Sequence, residues 1–350
     1  MKKTINVLLF VVGSYLLFCC HPMAYAIIKP AALQEGDTVG IIAPACPFRL
    51  KPEEERMEID AMVKRLEDLG LRVKLGKHIF NNEKSYYAAK PEEAAQDLNE
   101  MFADQEVKAI IALRGGYGSD RILKLIDYEA IRQNPKIFMG YSDITTLLVA
   151  ITVKTGLVTF HGPMASAKWS PFTTSYVKRV LFDGETVVFG SEGKSEYFKT
   201  IAGGENCSKA EGKLLGGNFP TFSALIGREQ FPKFIEGDGV ILFLEDIGDA
   251  THRVSKALNQ VVNIGMPIKG IVFGQSGKCE ESGGGDGTLL TLDQVYKDTI
   301  LPLEIPVMSG VNIGHIPDMY VMPIGIEVEM DAVSGTIKML EPAVCGHGEV

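Results

Sequence analysis

From Thr38 onward, apolar runs alternate with amphipathic stretches, and this alternation constrains the chain more than any other feature. The spacing predicts strand Thr38–Ala43, helix Pro52–Leu69, strand Leu71–Leu75, helix Pro91–Phe102, strand Val107–Leu113, helix Ser119–Ile126 and strand Lys136–Gly140. Helix Asp143–Lys154 and strand Leu157–Phe160 complete the series. Apolar strands between amphipathic helices are buried on both faces, the pattern of a parallel sheet. Regularity fails from Ala165 to Asn206. It resumes with strand Gly239–Leu244, helix Thr251–Val262, strand Ile268–Phe273, helix Thr291–Ile300 and a hairpin of Gly325–Met330 with Thr336–Leu340, turned by Asp331–Gly335. The expected division is therefore a first α/β unit over 33–165, a linker over 166–206 and a second unit over 207–342. No internal repeat stands out.

The segment Arg114-Gly115-Gly116-Tyr117-Gly118-Ser119-Asp120-Arg121 lies between an apolar strand and a helical pattern. Glycines permit a sharp turn there, and a serine at a helix start sits beside unpaired backbone N–H groups able to stabilise an oxyanion. Such a serine is also an ordinary N-cap. The glycines do not flank it as in G-x-S-x-G, and no Gly-Lys-Ser/Thr follows as in a P-loop. Two other polar signals end apolar runs: Glu245 after Val240–Leu244, and His315 after Gly314. A histidine can deprotonate a serine near neutral pH, and a carboxylate can fix its tautomer. Ser119, His315 and Glu245 would form that relay. Taken singly, Glu245 could equally cap a helix and His315 occupy a turn. His161 is a rival base by type, whereas His78, His252 and His347 have weaker surroundings.

Composition narrows the partners. The formal net charge of −9 disfavours nucleic acid. Met1-Lys2-Lys3, the apolar Ile5–Cys20 and Ala24-Tyr25-Ala26 read as a secretory signal peptide over 1–26, cut after Ala26, so an exported, periplasmic protein is expected. A lipid anchor on Cys19 or Cys20 competes with that reading. No later segment is long enough to span a membrane. Cys46, Cys207, Cys279 and Cys345 are widely spaced without a C-x-x-C pair, which argues against a zinc cluster and leaves any disulfide pairing open. No metal or cofactor is expected.

The ordered series Arg114–Ser119, Gly140-Tyr141-Ser142-Asp143, His161-Gly162-Pro163, Gly216-Gly217-Asn218, Phe243-Leu244-Glu245-Asp246, Gly314-His315 and Met322–Gly325 resembles the LD-carboxypeptidases, or murein tetrapeptide carboxypeptidases, and the related microcin-immunity peptidases. The resemblance begins at Gly40–Ala45 and spans nearly all of the chain after the signal segment. It implies an amidotransferase-like, flavodoxin-like parallel-sheet domain carrying the serine and a smaller C-terminal α/β domain with a barrel-like sheet carrying Glu and His. It further implies a metal-free Ser119-Glu245-His315 serine peptidase, a homodimer, that releases terminal D-alanine from a muropeptide stem tetrapeptide. The Asp120 N–H would be one oxyanion donor, with Gly116 or the Tyr87–Ala89 loop supplying the other. Tyr117, Asn218 and Arg253 are candidate substrate-orienting residues. Two places depart from the family pattern: the stretch after Glu245 reads Asp246-Ile247-Gly248-Asp249-Ala250-Thr251-His252-Arg253 where the family has a second acidic residue and a Pro-Tyr before the arginine, and Phe219-Pro220 follows Gly-Gly-Asn. The alternatives are a microcin-immunity-type peptidase, which would use a stacking aromatic such as Trp169, and a non-catalytic muropeptide-binding protein.

Overall fold

The computed structural model describes residues 26–48, 50–80, 85–190, 199–202, 208–233, 239–246, 248–275, 282–283 and 287–346. Residues 1–25 of the expected signal segment, Cys207, Cys279 and His347 lie outside them. In the first half, strands β1 (Thr38–Ile42), β2 (Arg72–Leu75), β3 (Val107–Ala112), β4 (Ile137–Gly140) and β5 (Thr159–His161) pair in parallel in the order β2-β1-β3-β4-β5. This is a flavodoxin-like sheet, and its strand order reverses between β1 and β3. Ligand crevices in such folds open at that reversal, beyond the carboxyl ends of the two strands.

The helices start and stop for local reasons. In α1 (Pro52–Glu67) and α2 (Pro91–Ala103) a proline occupies the first turn, where its missing N–H costs nothing. The third residue of each folds back, so that Glu54 Oε2 accepts from the Lys51 N–H and Glu93 Oε2 from the Lys90 N–H, both at 3.0 Å. Helix α4 (Thr145–Thr155) differs because Thr145 through Ile151 are all buried. It is apolar nearly all round because it packs against both halves of the molecule.

The expected helix Ser119–Ile126 is not continuous. A 3₁₀ turn, Ser119–Ile122, ends after four residues, and a separate helix α3 (Tyr128–Gln133) begins where Asp127 Oδ1 accepts from the Ala130 N–H at 2.9 Å. The Asp127 cap restarts the backbone in a new direction.

The second half is built on a curled, half-barrel sheet of eight strands. Its centre is the parallel run β8 (Lys209–Asn218), β9 (Val240–Glu245), β10 (Ile268–Gly274) and β13 (Val307–Val311). Helices α7 (Thr251–Val262) and α8 (Leu292–Thr299) cross between these strands, and a small two-stranded ribbon, β11 (Ser282–Gly283) with β12 (Leu289–Leu290), precedes α8. The hairpin β15 (Glu327–Asp331) and β16 (Thr336–Met339) adds antiparallel to β8.

The 166–206 segment is more than a connector. It forms α5 (Pro171–Val177), one π-helical turn and two short strands: β6 (Val188–Phe189) pairs with β16, and β7 (Lys199–Ala202) with β13. Conversely, β14 (Met322–Ile324) leaves the second half and pairs antiparallel with β5, completing a six-stranded first sheet. The second half thus lends a strand to the first sheet, and both halves pack on α4.

Candidate active site

Ser119 sits where the first sheet reverses. The loop after β1 meets the loop after β3 at Cys46, whose Sγ lies 3.7 Å from the Tyr117 carbonyl oxygen. Gly116 and Gly118 adopt φ of 115° and 116°, a region side chains resist. Space forbids side chains there as well: a Cβ on Gly116 would lie 2.6 Å from Cys46 Sγ, and one on Gly118 2.6 Å from the Tyr87 ring. The turn therefore needs its glycines both for backbone geometry and for close packing.

Ser119 is fully buried and gripped by the segment after β4. Its N–H donates to Asp143 Oδ2 at 2.8 Å, and its Oγ donates to the Asp143 carbonyl oxygen at 2.7 Å. Burial pushes the Asp143 carboxyl up, against the hydrogen bonds from Ser119. Between β4 and Asp143, Ser142 is held at φ 61°, one of two positive-φ non-glycine residues among those described.

The carboxyl ends of the second sheet face this turn through α4, since the Asn218 N–H donates to Thr145 Oγ1 at 2.9 Å. Asn218 ends β8, Glu245 ends β9 directly opposite it in register, and His315 follows β13. His315 Nδ1 and Glu245 Oε2 are 2.8 Å apart, with the Glu245 side chain sealed from solvent and that of His315 20% exposed. Gly314, at φ 99°, lets the chain pass the carboxylate: a Cβ there would lie 2.3 Å from Glu245 Oε2. Burial opposes charge on both partners, but the contact outweighs it. The His315 imidazole is raised above its ordinary value by Glu245 and Asp246, and the Glu245 carboxyl is lowered by His315, His161 and Asn218. Glu245 Oε1 is buried without a hydrogen-bond partner of its own, Asn218 giving it only weaker polar support.

His161 is placed differently. It is wholly buried, neither ring nitrogen has a partner, and burial pushes its imidazole down to about 4, so it stays neutral. Its ring lies 5.3 Å from that of Phe243 and 6.1 Å from Tyr141, and Tyr141 in turn packs edge-on against His315 at 4.9 Å. The rival base is therefore packing behind the Glu245–His315 pair, with no proton-accepting atom open to the crevice.

The other singled-out residues separate. Asp120 follows Ser119 in the 3₁₀ turn, and its Oδ2 accepts from Arg228 at 3.1 Å. Gly116 lies against Cys46 in the same turn. Tyr117 is 54% exposed and joins a rim cluster with Tyr86 and Tyr87, at ring distances of 6.1 and 6.2 Å. Asn218 caps α6 (Phe219–Ser223), its Oδ1 accepting from Thr221 Oγ1 at 2.7 Å. Arg253 points into solvent, 3.9 Å from Asp249 and 70% exposed. Trp169 is tied down by an Nε1–H bond of 3.0 Å to the Met164 carbonyl oxygen. In the sequence, Asp143 and Tyr141 stand only as parts of a motif. Their involvement depends on main-chain geometry that composition does not carry. Among the described residues no cluster of three or more His, Cys, Asp or Glu could hold a metal ion, and Cys46 and Cys345 are both free thiols.

The same division appears in comparison with known proteins. The family model for the LD-carboxypeptidase N-terminal domain of peptidase S66 matches residues 39–162, and that for the C-terminal domain matches residues 211–330. A probable murein peptide carboxypeptidase of Bacillus subtilis (strain 168) is 39% identical over 320 residues, spanning 88% of this chain and 93% of its own. The microcin C7 self-immunity protein MccF of Escherichia coli is 27% identical over 342 residues, spanning 89% and 95%. A crystal structure of an MccF-like protein from Bacillus anthracis str. Ames superposes with a TM-score of 0.75 at 29% identity, covering 90% of this chain and 99% of that one. With one family segment ending on β5 and the other reaching from β8 to β15, the two sides of the crevice come from one known pair of domains, and the chain belongs to the LD-carboxypeptidase family, peptidase S66.

Proposed function

We propose that this S66-family peptidase is a serine LD-carboxypeptidase that releases terminal D-alanine from muropeptide stem tetrapeptides. The observation that carries the reading is the buried Glu245–His315 hydrogen bond. It lies at the carboxyl ends of one sheet, and the Tyr141–Asp143 segment that packs on His315 also holds Ser119, in a glycine-built turn at the reversal point of another. Glu245 holds Nδ1, which leaves Nε2 as the basic atom for the crevice. Ser119 turns its Oγ away from the Asp143 carbonyl, gives its proton to His315 and attacks the carbonyl of the bond to D-alanine. His315 then protonates the departing amine, and water, activated by the same imidazole, hydrolyses the acyl-enzyme. The Asp120 N–H, next after the nucleophile, is one oxyanion donor, and the Gly116 turn or the Tyr87–Ala89 loop supplies the second.

Several features favour this over its rivals. The names of relatives speak for a murein peptide, and a pure binding protein has no need of a carboxylate buried under a histidine. A nucleotide-stacking specificity gains little from Trp169, whose indole is bonded to the chain behind it. Export, with a mature N-terminus at Ile27, fits a cell-wall substrate. The test is to incubate the purified protein with a disaccharide-tetrapeptide and look for free D-alanine by mass spectrometry. No release under conditions where the protein is folded would defeat the proposal.

A further inference from the structure

A carboxypeptidase must recognise the free carboxylate that marks a chain end, and none of the groups described so far does so. That carboxylate sits two bonds from the scissile nitrogen, so its receptor must lie close to the base that protonates this nitrogen. A cation is required, with donors left over after its structural contacts.

The arginines near the crevice are mostly committed. Arg121 stacks 3.7 Å over the Tyr87 ring, Arg228 pairs with Asp120, and Arg253 is out in solvent. Arg114 is different. It opens the nucleophile turn directly after β3 and is half-buried. One Nη1 donates to the Pro47 carbonyl oxygen at 3.1 Å, and the guanidinium lies 6.0 Å from the centre of the Phe48 ring. The Pro47 bond uses one of the five N–H donors of the guanidinium. Among the described residues no carboxylate lies within ion-pairing distance of it.

The placement faces the right way. Burial and Glu245 push the Tyr141 hydroxyl up, and the Arg114 charge pulls it back, so that hydroxyl feels Arg114 as well as Glu245. The same tyrosine ring packs on His315 at 4.9 Å. Gly115, next to Arg114, packs against Ser142, where a Cβ would lie 2.9 Å from the Ser142 Cβ, so the turn that Arg114 opens lies against the Tyr141–Ser142 segment beside His315. The nearby carboxylates are engaged, Glu245 with His315 and Asp143 with Ser119. A planar guanidinium that is partly desolvated and has no counter-ion among the described residues matches a carboxylate with two parallel hydrogen bonds.

We propose that Arg114 is the receptor for the terminal carboxylate of the substrate, a positioning and specificity residue that makes this site act on chain ends. The inference rests on the carboxypeptidase reading above, and it adds the reason for exo-specificity. The experiment compares a tetrapeptide ending in D-alanine with the same peptide ending in D-alaninamide. The wild-type protein should prefer the acid in kcat/KM by roughly 30- to 1000-fold, the range for removing one partner of a close charge pair. Arg114→Ala should lower kcat/KM for the acid to near that for the amide, and change the amide little. Arg114→Lys should restore part of the preference, because it keeps the charge and loses the fork. Equal losses on both substrates in a folded Arg114→Ala protein would mean that the arginine only braces the turn, and an intact preference would overturn the proposal outright. Binding to Ser119→Ala protein, measured by calorimetry, separates this inference from the reading beneath it. Acid should bind more tightly than amide only when Arg114 is present, whether or not the wild-type protein turns either over. Equal affinities there would overturn the proposal even if D-alanine release is observed.

Discussion

Ser119 and Asp143 are bonded twice, Oγ to the main-chain carbonyl oxygen at 2.7 Å and N–H to the carboxylate at 2.8 Å. The serine hydroxyl thus spends its proton on a carbonyl that cannot accept it chemically. In the proposed mechanism, attack would require a rotation about χ1 toward His315. The resting bond thus fixes the orientation of the turn.

Replacing either member of the proposed proton relay should be severe and non-additive. Ser119→Ala and His315→Ala should each lower kcat by about 10⁴- to 10⁶-fold, and the double variant should be little worse than either one, as for residues that act as a unit. His161→Ala should retain far more activity than His315→Ala. Single-turnover kinetics on folded variants decides this, and an active Ser119→Ala protein would end the serine mechanism.

The acid side of the pH profile should sit above the ordinary histidine value of 6.5, because Glu245 and Asp246 raise His315 against the pull of burial and the base works only when neutral. In Glu245→Gln the anion is gone and burial is left to dominate. The limb should then move below 6.5, with a lower plateau. A midpoint of kcat/KM against pH that does not move would show that the carboxylate does not set the base.

Stability should follow a different pH course from activity. The raised His315 stabilises the fold fully below 6.5 and loses that contribution as pH rises through its folded value. The lowered Glu245 stabilises it fully above 4.5 and loses that contribution as pH falls through its folded value. The pair therefore supports the fold best between 4.5 and 6.5, on the acid side of the activity limb. Thermal unfolding of wild-type and Glu245→Gln proteins across pH measures this, and curves that stay parallel would contradict it.

Gly314→Ala tests the backbone beside the carboxylate. At φ 99° a side chain is strained by about 1–3 kcal/mol. The new Cβ would also collide with Glu245 Oε2. Displacing the dyad should lower kcat by about 10²-fold beyond any loss of folded protein. A variant with wild-type kcat and melting temperature would show that the close approach is not needed.

Stereochemistry gives a test independent of mutation. Inverting the terminal residue exchanges its carboxylate and methyl positions, so a tetrapeptide ending in L-alanine should be almost untouched under conditions where the D isomer is consumed. Chiral analysis of the released alanine from paired substrates measures it. Comparable turnover of both would refute the assignment.

Much of the fold was legible because buried parallel strands leave continuous apolar runs such as Val240–Leu244. What was not legible has a common cause. Strands β6, β7 and β14 are two to four residues long, and their pairing partners are far away in the chain. Such segments have no periodicity to read, because what selects them is an open edge elsewhere in the fold. The break after Ile122 was missed for a local reason, the Asp127 cap competing with an otherwise helical run. At the crevice, strand-end position drew attention to Glu245 and His315, and the structure joins them. It does not bring Arg253 to them, although residue type suggested an anchoring role. Arg114 stood in the quoted motif without a role because a vacant guanidinium edge is a property of three dimensions.

Met322–Ile324 lies hydrogen-bonded along Thr159–His161, so the edge of the first sheet is closed by residues made long after it. During translation β5 waits with an exposed edge while more than 150 further residues emerge, an invitation to wrong pairing. The long sequence separation of this pairing also slows folding, since loop closure must precede any gain from the contact. A gene divided between the two family segments would give a first half with an unfinished sheet. The first sheet of this enzyme is accordingly completed only by the second half, even though each half is recognisable as a domain.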